Sequence, residues 1–508
     1  MPLSLSSMLA AHGAENYAFG ASGKSWMSYS ALRDLSKEVF VILRESGVGA
    51  TDRVAMVLEN GAVMATAFVT IAQAASTAPL NPNYRADEFS FYLEDLNAKA
   101  IVFKVGYDGP ALEVAKRYDL IVLWLHEDKE VAGKFSLTTE GKTKPAHYTY
   151  PGELDTALIL HTSGTTSRPK IVPLLQSNIS ASAENIALSL ELCTKDRCMN
   201  VMPLFHIHGL LAAVTASLFA GASIFCTSGF NAMTFFKSMA EAKATWFTAV
   251  PTMHQAILAR SDRNAGVISA NPLRFLRSSS ASLPPQVLKS LRKTFNAPVI
   301  EAYGMTEASH QMCSNPLKLQ KPGSVGIAAG PEVRIAHAND AKFTEGVGEV
   351  VISGTNVTPG YESNEDENTK NFFESEGKRW FRTGDQGSFD ADGYLELTGR
   401  LKEIINRGGE KISPLEVDNV LLDFPAIGQI VTFAIPHSKL GEDVGAAVVI
   451  KEGYSATERD IHNFAKSRMA NFKVPRKILI LDEIPKGATG KIQRIGLAEK
   501  LGLVETVS

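Results

Sequence analysis

The segment Leu158-Ile-Leu-His-Thr162-Ser163-Gly164-Thr165-Thr166-Ser167-Arg168-Pro169-Lys170 runs from a short apolar stretch into a loop of hydroxyls, one glycine and two cations. Ser and Thr hydroxyls donate hydrogen bonds, a glycine lets backbone amides approach closely, and Arg168 and Lys170 bring positive charge. Such a loop suits a polyphosphate. Ile171-Val172-Pro173-Leu174 follows, and a β-branched pair beside a proline predicts a second strand rather than a helix. A Walker loop needs G-x-x-x-x-G-K-S/T opening a helix, so neither spacing nor context fits it. Taken alone, the same residues also read as a Thr/Ser-rich hairpin turn.

Four further segments carry chemistry-bearing residues: Tyr303-Gly-Met-Thr-Glu307, Arg382-Thr-Gly-Asp385, Gly399-Arg-Leu-Lys402 and Pro485-Lys-Gly-Ala-Thr-Gly-Lys491. In isolation Glu307 reads as a surface acid, Asp385 as a turn residue and Lys491 as a solvated lysine. Glu307-Ala-Ser-His310 spells a Glu-x-x-His, and His206-Ile-His208 would suit a metal pair. A di-iron bundle needs a second Glu-x-x-His and long inward-facing helices, which the sequence lacks.

These segments need a large scaffold. A chain of 508 residues is too long for one core and predicts at least two domains. Hydrophobic content of 45% and charged content of 21% are those of an ordinary globular protein. A net charge of −3 gives no reason to expect nucleic acid or an anionic membrane as partner. Four cysteines without zinc-like spacing predict buried thiols in a reducing compartment. Residues 62–80 and 209–226 are apolar but carry Ser, Thr or Gln, so they predict buried, close-packed helices and no membrane span. Met1–Met8 lacks the basic start of a secretory signal, and Glu505–Ser508 is not a peroxisomal tripeptide; cytoplasm is the expected setting.

Strand and helix patterns alternate through most of the chain, which is α/β patterning. Arg53–Leu58, Ala100–Phe103 and Leu120–Leu125 read as strands, Pro110–Arg117 and Pro284–Phe295 as helices, and Val299-Ile300 as the start of a strand leading into Glu301-Ala302-Tyr303-Gly304. A seam is expected near Gly399–Lys402. It would separate an N-terminal domain over 1–399 from a small α+β domain over 403–508, with a hinge at 400–402. The smaller domain should hold helices at Pro414–Leu422 and Thr457–Met469 and strands at Gln429–Ile435, Ala446–Ile450 and Lys477–Leu481.

With its motifs in this order, the chain resembles the adenylate-forming superfamily of acyl-CoA synthetases, adenylation domains and luciferases over nearly its whole length. One departure stands out: Ser167-Arg168 replaces the usual Gly-x of the phosphate loop. The resemblance implies an ATP-dependent acid–thiol ligase that makes an acyl-adenylate, releases pyrophosphate, and passes the acyl group to coenzyme A with loss of AMP. It implies ATP contacts from Thr162, Ser163, Gly164, Thr165, Thr166 and Lys170, from Ser280 and Ala281, and from Glu301, Ala302, Tyr303 and Gly304. Tyr303 would stack on adenine, Asp385 would accept the ribose hydroxyls, and Arg400 would touch ribose or lock one orientation. Thr306 would meet the α-phosphate and Glu307 would hold Mg2+. Lys491 would bridge the attacking carboxylate and the α-phosphate, Lys402 would be the pivot, and Gly408 and Gly409 would admit pantetheine, with a plain turn as the other reading of that pair.

The acid side is expected around His206, His208, His254, Ser278, Ser280 and His310, with His206 also placed as a gate. A long or aryl acid gains from an apolar lining, whereas these polar groups would be left unpaired by an apolar tail. A short acid with a polar far end fits, and oxalate is the natural example. Residues 163–170, 301–310 and 406–414 are similar to the oxalate–CoA ligases of plants and fungi. The other readings are a medium-chain or aryl (coumarate-like) ligase, a module that loads a carrier protein, and a silent nucleotide-binding protein.

Overall fold

The computed structural model describes residues 4–140, 144–162, 169–338, 340, 342–485 and 493–503. Among these residues four sheets form, of nine, seven, five and five strands. In the nine-stranded sheet Ser223–Cys226, Arg197–Asn200, Trp246–Ala249, Phe275–Ser278 and Val299–Met305 run parallel in that spatial order. Every residue of Ser223–Cys226, Trp246–Ala249 and Phe275–Ser278 is buried, as expected of parallel strands covered on both faces. Val299–Met305 then folds back antiparallel on His310–Ser314. The seven-stranded sheet ends in the antiparallel pair Thr156–Thr162 and Lys170–Leu175, with Thr162 opposite Lys170. The expected second strand is present at Lys170–Leu175, and Pro173 sits on the sheet's edge where no ladder donor is needed.

Both small-residue stretches are buried. Ala62–Ala72 is an α-helix with ten of its eleven residues buried. His208–Thr215 forms a fully buried π-helical stretch continued by the α-helix Ala216–Phe219. No helix among the described residues is long and apolar enough to cross a membrane. Cys198, Cys226 and Cys313 are buried, but Cys193 is exposed, contrary to expectation. It lies just past the helix Gln176–Ser189, in the turn where its N–H meets Asp196.

The chain divides into two compact units. One comprises 1–283, 289–333 and 352–381; the other 284–288, 334–351 and 382–508. The division at Arg382 precedes the expected seam at Gly399–Lys402, because Lys378–Phe389 pairs antiparallel with Leu395–Arg400 and keeps those strands together. The second unit holds a sheet in which Ile427–His437 and Gly441–Ile450 pair along their lengths and Lys477–Ile480 joins in parallel. The helices Pro414–Leu421 and Glu458–Arg468 cover it through Val417, Leu421, Ile461 and Ala465. These elements match the expected pattern within a few residues at each end.

Candidate active site

In the first unit, the hairpin Val299–Met305/His310–Ser314 builds one side of the site. Its strands approach so closely at Gly304 that a Cβ there would lie 1.6 Å from the His310 carbonyl oxygen. Only glycine fits. The turn between the strands is a single 3-10 segment, Thr306–Ala308, followed by Ser309 and His310 with left-handed φ of 48° and 90°. Non-glycine residues held there mark a backbone braced by its surroundings. The bracing is on hand: Asn356 donates to the Ala308 and Gln311 carbonyls at 2.8 and 3.1 Å, Thr358 N–H donates to the Glu307 carbonyl at 2.8 Å, and Ser182 donates to the Ser309 carbonyl.

This framework places Glu307 as a buried carboxylate that accepts from the Tyr361 hydroxyl at 2.8 Å. Lys170 lies 4.5 Å over the Tyr361 ring and forms an ion pair with Glu367. Lys170 holds the Glu367 carboxyl below the usual carboxylate range. Thr306 starts the turn beside Glu307, and Thr162 ends its strand opposite Lys170. Ser163, Gly164, Thr165 and Thr166 lie outside the described residues, as does Lys491.

Tyr303 is buried on the strand before the turn. The serine turn is tied to that strand because Ser279 donates to the Ala302 carbonyl at 2.8 Å. Ser280 takes a left-handed φ of 71°, and Ala281 beyond it is exposed. Glu301 turns its carboxyl into the protein, accepting from Leu283 N–H at 2.9 Å. Burial raises its pKa to about 8. Above the ordinary unfolded value of ~4.5 the unfolded chain gives up this proton while the native state keeps it, so stability falls from about pH 4.5 to 8 and then levels. Glu301→Gln keeps the acceptor for Leu283 and removes the titration. Its unfolding free energy should gain on wild type by roughly 2–4 kcal/mol between pH 5 and 8, which urea melts at the two pH values will read. Parallel pH dependence of the two proteins would refute this.

On the acid side His208 and His310 rings meet at 4.9 Å between centroids. His208 also bonds Ser280 Oγ through Nδ1 at 3.0 Å and Thr248 Oγ1 through Nε2 at 2.6 Å. Its position at the head of the π-helical stretch depends on Gly209, where a Cβ would lie 2.4 Å from the Pro203 carbonyl oxygen; such stretches recur at functional sites. His206 is partly exposed, its ring 4.6 Å from that of Phe205. Two expected lining residues are instead interior. Ser278 is fully buried. His254 is fully buried, bonds the Arg277 carbonyl at 3.1 Å, and is held neutral by burial with a pKa near 4. Ser278 ends a wholly buried strand of the sheet, and His254 sits on the helix Pro251–Leu258, tied to that strand.

Within the second unit Asp385 and Arg400 stand directly opposite each other on paired strands, with Nε and Oδ1 3.4 Å apart. Glu349 steadies their turn, accepting from Arg382 at 2.6 Å and from Gly384 N–H at 3.0 Å. Asp385 is nearly buried and Arg400 half exposed, so this pair offers a carboxylate backed by a guanidinium. Exposed Lys402 lies in the turn just beyond. Gly408 and Gly409, with φ of 61° and 101°, form the two-residue turn between Ile405–Arg407 and Glu410–Ile412, as a tight hairpin requires.

Sequence reasoning missed Tyr361, Asn356, Thr248 and Arg277. Tyr361 and Asn356 carry no local signal. Arg277 did: a cation in the apolar strand Phe275-Leu276-Arg277 entering a serine turn is a buried charge in plain view.

A family model described as AMP-binding enzyme matches residues 9–362, and one described as AMP-binding enzyme C-terminal domain matches 416–491. The chain is 43% identical to an oxalate–CoA ligase of Arabidopsis thaliana, covering 94% of each chain. It is 42% identical to an oxalate–CoA ligase of Saccharomyces cerevisiae, covering 88% of this chain and 86% of that one. Its fold superposes on the ATP-bound MatB of Rhodopseudomonas palustris with a TM-score of 0.86 and 26% identity, covering 98% of this chain and 99% of that one.

Proposed function

The chain belongs to the AMP-binding enzyme family and is an acid–CoA ligase, and from that premise we propose that its acid is oxalate or a similarly short acid with an anionic far end. The observation that carries this reading is the group formed by buried His208 and His310 with partly exposed Ser280. An apolar tail against it would strand polar atoms, whereas a second carboxylate supplies acceptors. The two relatives that act on oxalate support the same choice.

Joining a carboxylate to a thiol is uphill, so the acid is first charged with AMP. In that step two anions meet, and positive charge and hydrogen-bond donors placed where negative charge grows are the main catalytic resource. Lys491 bridges the attacking carboxylate and the α-phosphate, with Thr306 donating to the phosphate and Lys170 leaving Glu367 for the polyphosphate. Thr162 to Thr166 wrap the phosphates; Tyr303, Ser280, Ala281, Ala302 and Gly304 frame the adenine; Asp385 takes the ribose hydroxyls with Arg400 beside it. Glu307 fits a magnesium ion, since Mg2+ is commonly held by one or two carboxylates together with waters and phosphate oxygens. When bound, the ion neutralises charge on the phosphates. Residues 1–399 form the nucleotide domain and 403–508 the lid. Rotation at Lys402 withdraws Lys491 after the first step, and the Gly408-Gly409 turn then borders the pantetheine, with His206 gating the acyl pocket. A cytoplasmic setting accords with four unbridged cysteines.

Acid-dependent exchange of pyrophosphate into ATP, run over oxalate, malonate, acetate, octanoate and coumarate, tests the substrate. Oxalate should lead by about tenfold or more, in keeping with the cost of unpaired site donors. Exchange with octanoate or coumarate but not oxalate would replace this reading with the medium-chain or aryl one.

A further inference from the structure

Arg277 is fully buried, and among the described residues no carboxylate lies within ion-pair reach of it. An arginine keeps its proton even here, with a pKa lowered by burial only to about 9, so the interior of the acid side holds a standing positive charge. Its Nη2 donates to Gln311 Oε1 at 3.1 Å, and that amide is itself oriented by donating to Ser189 Oγ at 2.9 Å and the Ala329 carbonyl at 3.0 Å. Its Nη1 donates to Thr248 Oγ1 at 3.4 Å.

That second bond has a direction. A guanidinium donates only, so Thr248 Oγ1 is the acceptor in it. Thr248 must then place its own proton elsewhere, and the partner that remains for its hydroxyl is His208 Nε2 at 2.6 Å. Nε2 is therefore an acceptor, the ring is neutral, and its proton is on Nδ1. Nδ1–H donates to Ser280 Oγ at 3.0 Å. Ser280 Oγ has no other protein partner among the described residues, and its left-handed backbone is held by the turn. Its hydroxyl proton is thus the outward end of a chain in which every bond runs the same way.

We propose that Arg277 and Thr248 are positioning residues that set acid specificity: they drive a one-way hydrogen-bond relay through His208, making Ser280 an obligate donor to an anionic oxygen at the far end of the acid. This rests on the functional reading above and adds to it the source of the discrimination. A group that must accept, such as a second carboxylate, satisfies the relay. A group that must donate, such as the amide N–H of oxamate, meets a hydrogen atom instead. The buried charge of Arg277 adds attraction for the anion in surroundings of low dielectric.

The full-length protein, labelled with 15N-histidine, tests the relay without substrate. The two ring nitrogens of neutral histidine have well-separated shifts, and His208→Gln identifies the signal. Wild type should show the Nδ1–H tautomer. Thr248→Val, close to isosteric, should lose that preference, raise the KM for oxalate about tenfold or more, and leave the KM for ATP within about twofold. Arg277→Gln should act in the same sense, and Thr248→Val carries the test if the arginine variant fails to fold. A proton on Nε2 in wild type overturns the relay, as does a Thr248→Val protein with unchanged tautomer and oxalate KM. If the Nδ1–H tautomer is found but no acid with a second anionic end is turned over, the relay stands and the substrate reading falls.

Discussion

Lys491→Ala is expected to cut acid-dependent pyrophosphate exchange by about three orders of magnitude while leaving CoA thioester formation from a supplied acyl-adenylate within severalfold of wild type. The size follows from what the ammonium group does. A carboxylate and a triphosphate repel at contact distance, and in a site shielded from water a single well-placed cation or donor is worth about 10²–10³ in rate, with more where it offsets full charges. The asymmetry follows from chemistry: the second half-reaction has already shed pyrophosphate, and its nucleophile is a thiol. The two assays, run on one preparation, separate these steps. Equal loss in both halves would contradict a lysine that serves adenylation alone.

Gly304→Ala should be the most damaging small substitution in the chain. A Cβ at that position overlaps backbone at 1.6 Å from the His310 carbonyl oxygen and 2.5 Å from its carbon, and backbone cannot swing aside as a side chain can. The hairpin would have to open, separating Tyr303 on one arm from His310 on the other and displacing Glu307 in the turn between them. Forced overpacking usually costs 1–3 kcal/mol, and a clash with main chain belongs at or beyond the top of that range, about 3 kcal/mol or more. The folded fraction that survives should have under about a hundredth of wild-type exchange activity, since misplacement by an ångström costs that much in a site built on positioning. Denaturation midpoints and exchange rates, measured together, decide the matter. A variant with wild-type midpoint and rate would show that the hairpin yields freely.

Much of the scaffold was legible in the residues. Arg53–Leu58 and Ala100–Phe103 read as strands, and strands form at Arg53–Val57 and Ala100–Lys104, because short apolar runs bounded by turn residues leave few alternatives. Pro285–Phe295 begins at its proline, where the missing N–H costs nothing. The unit division was harder to read. A composition change at Gly399 reports local turn chemistry, whereas the pairing of Lys378–Phe389 with Leu395–Arg400 is set by a ladder that the composition change does not reveal.

The site divides along the same line. Residue types within one short loop suggested hydroxyls for phosphate, whereas the acid at Glu307, the ribose acceptor at Asp385 and the mobile lysine at Lys491 came as expectations from the family resemblance, since each alone reads as an ordinary surface or turn residue. Tertiary structure alone decided which polar side chains remain available to an acid. His254 and Ser278 went into the interior, while His208, Thr248, Arg277 and Ser280 became one connected chain. Those bonds join residues 29 to 72 positions apart, and the direction of a hydrogen bond depends on every other bond its atoms make. Such information arises only once distant strands have been packed side by side.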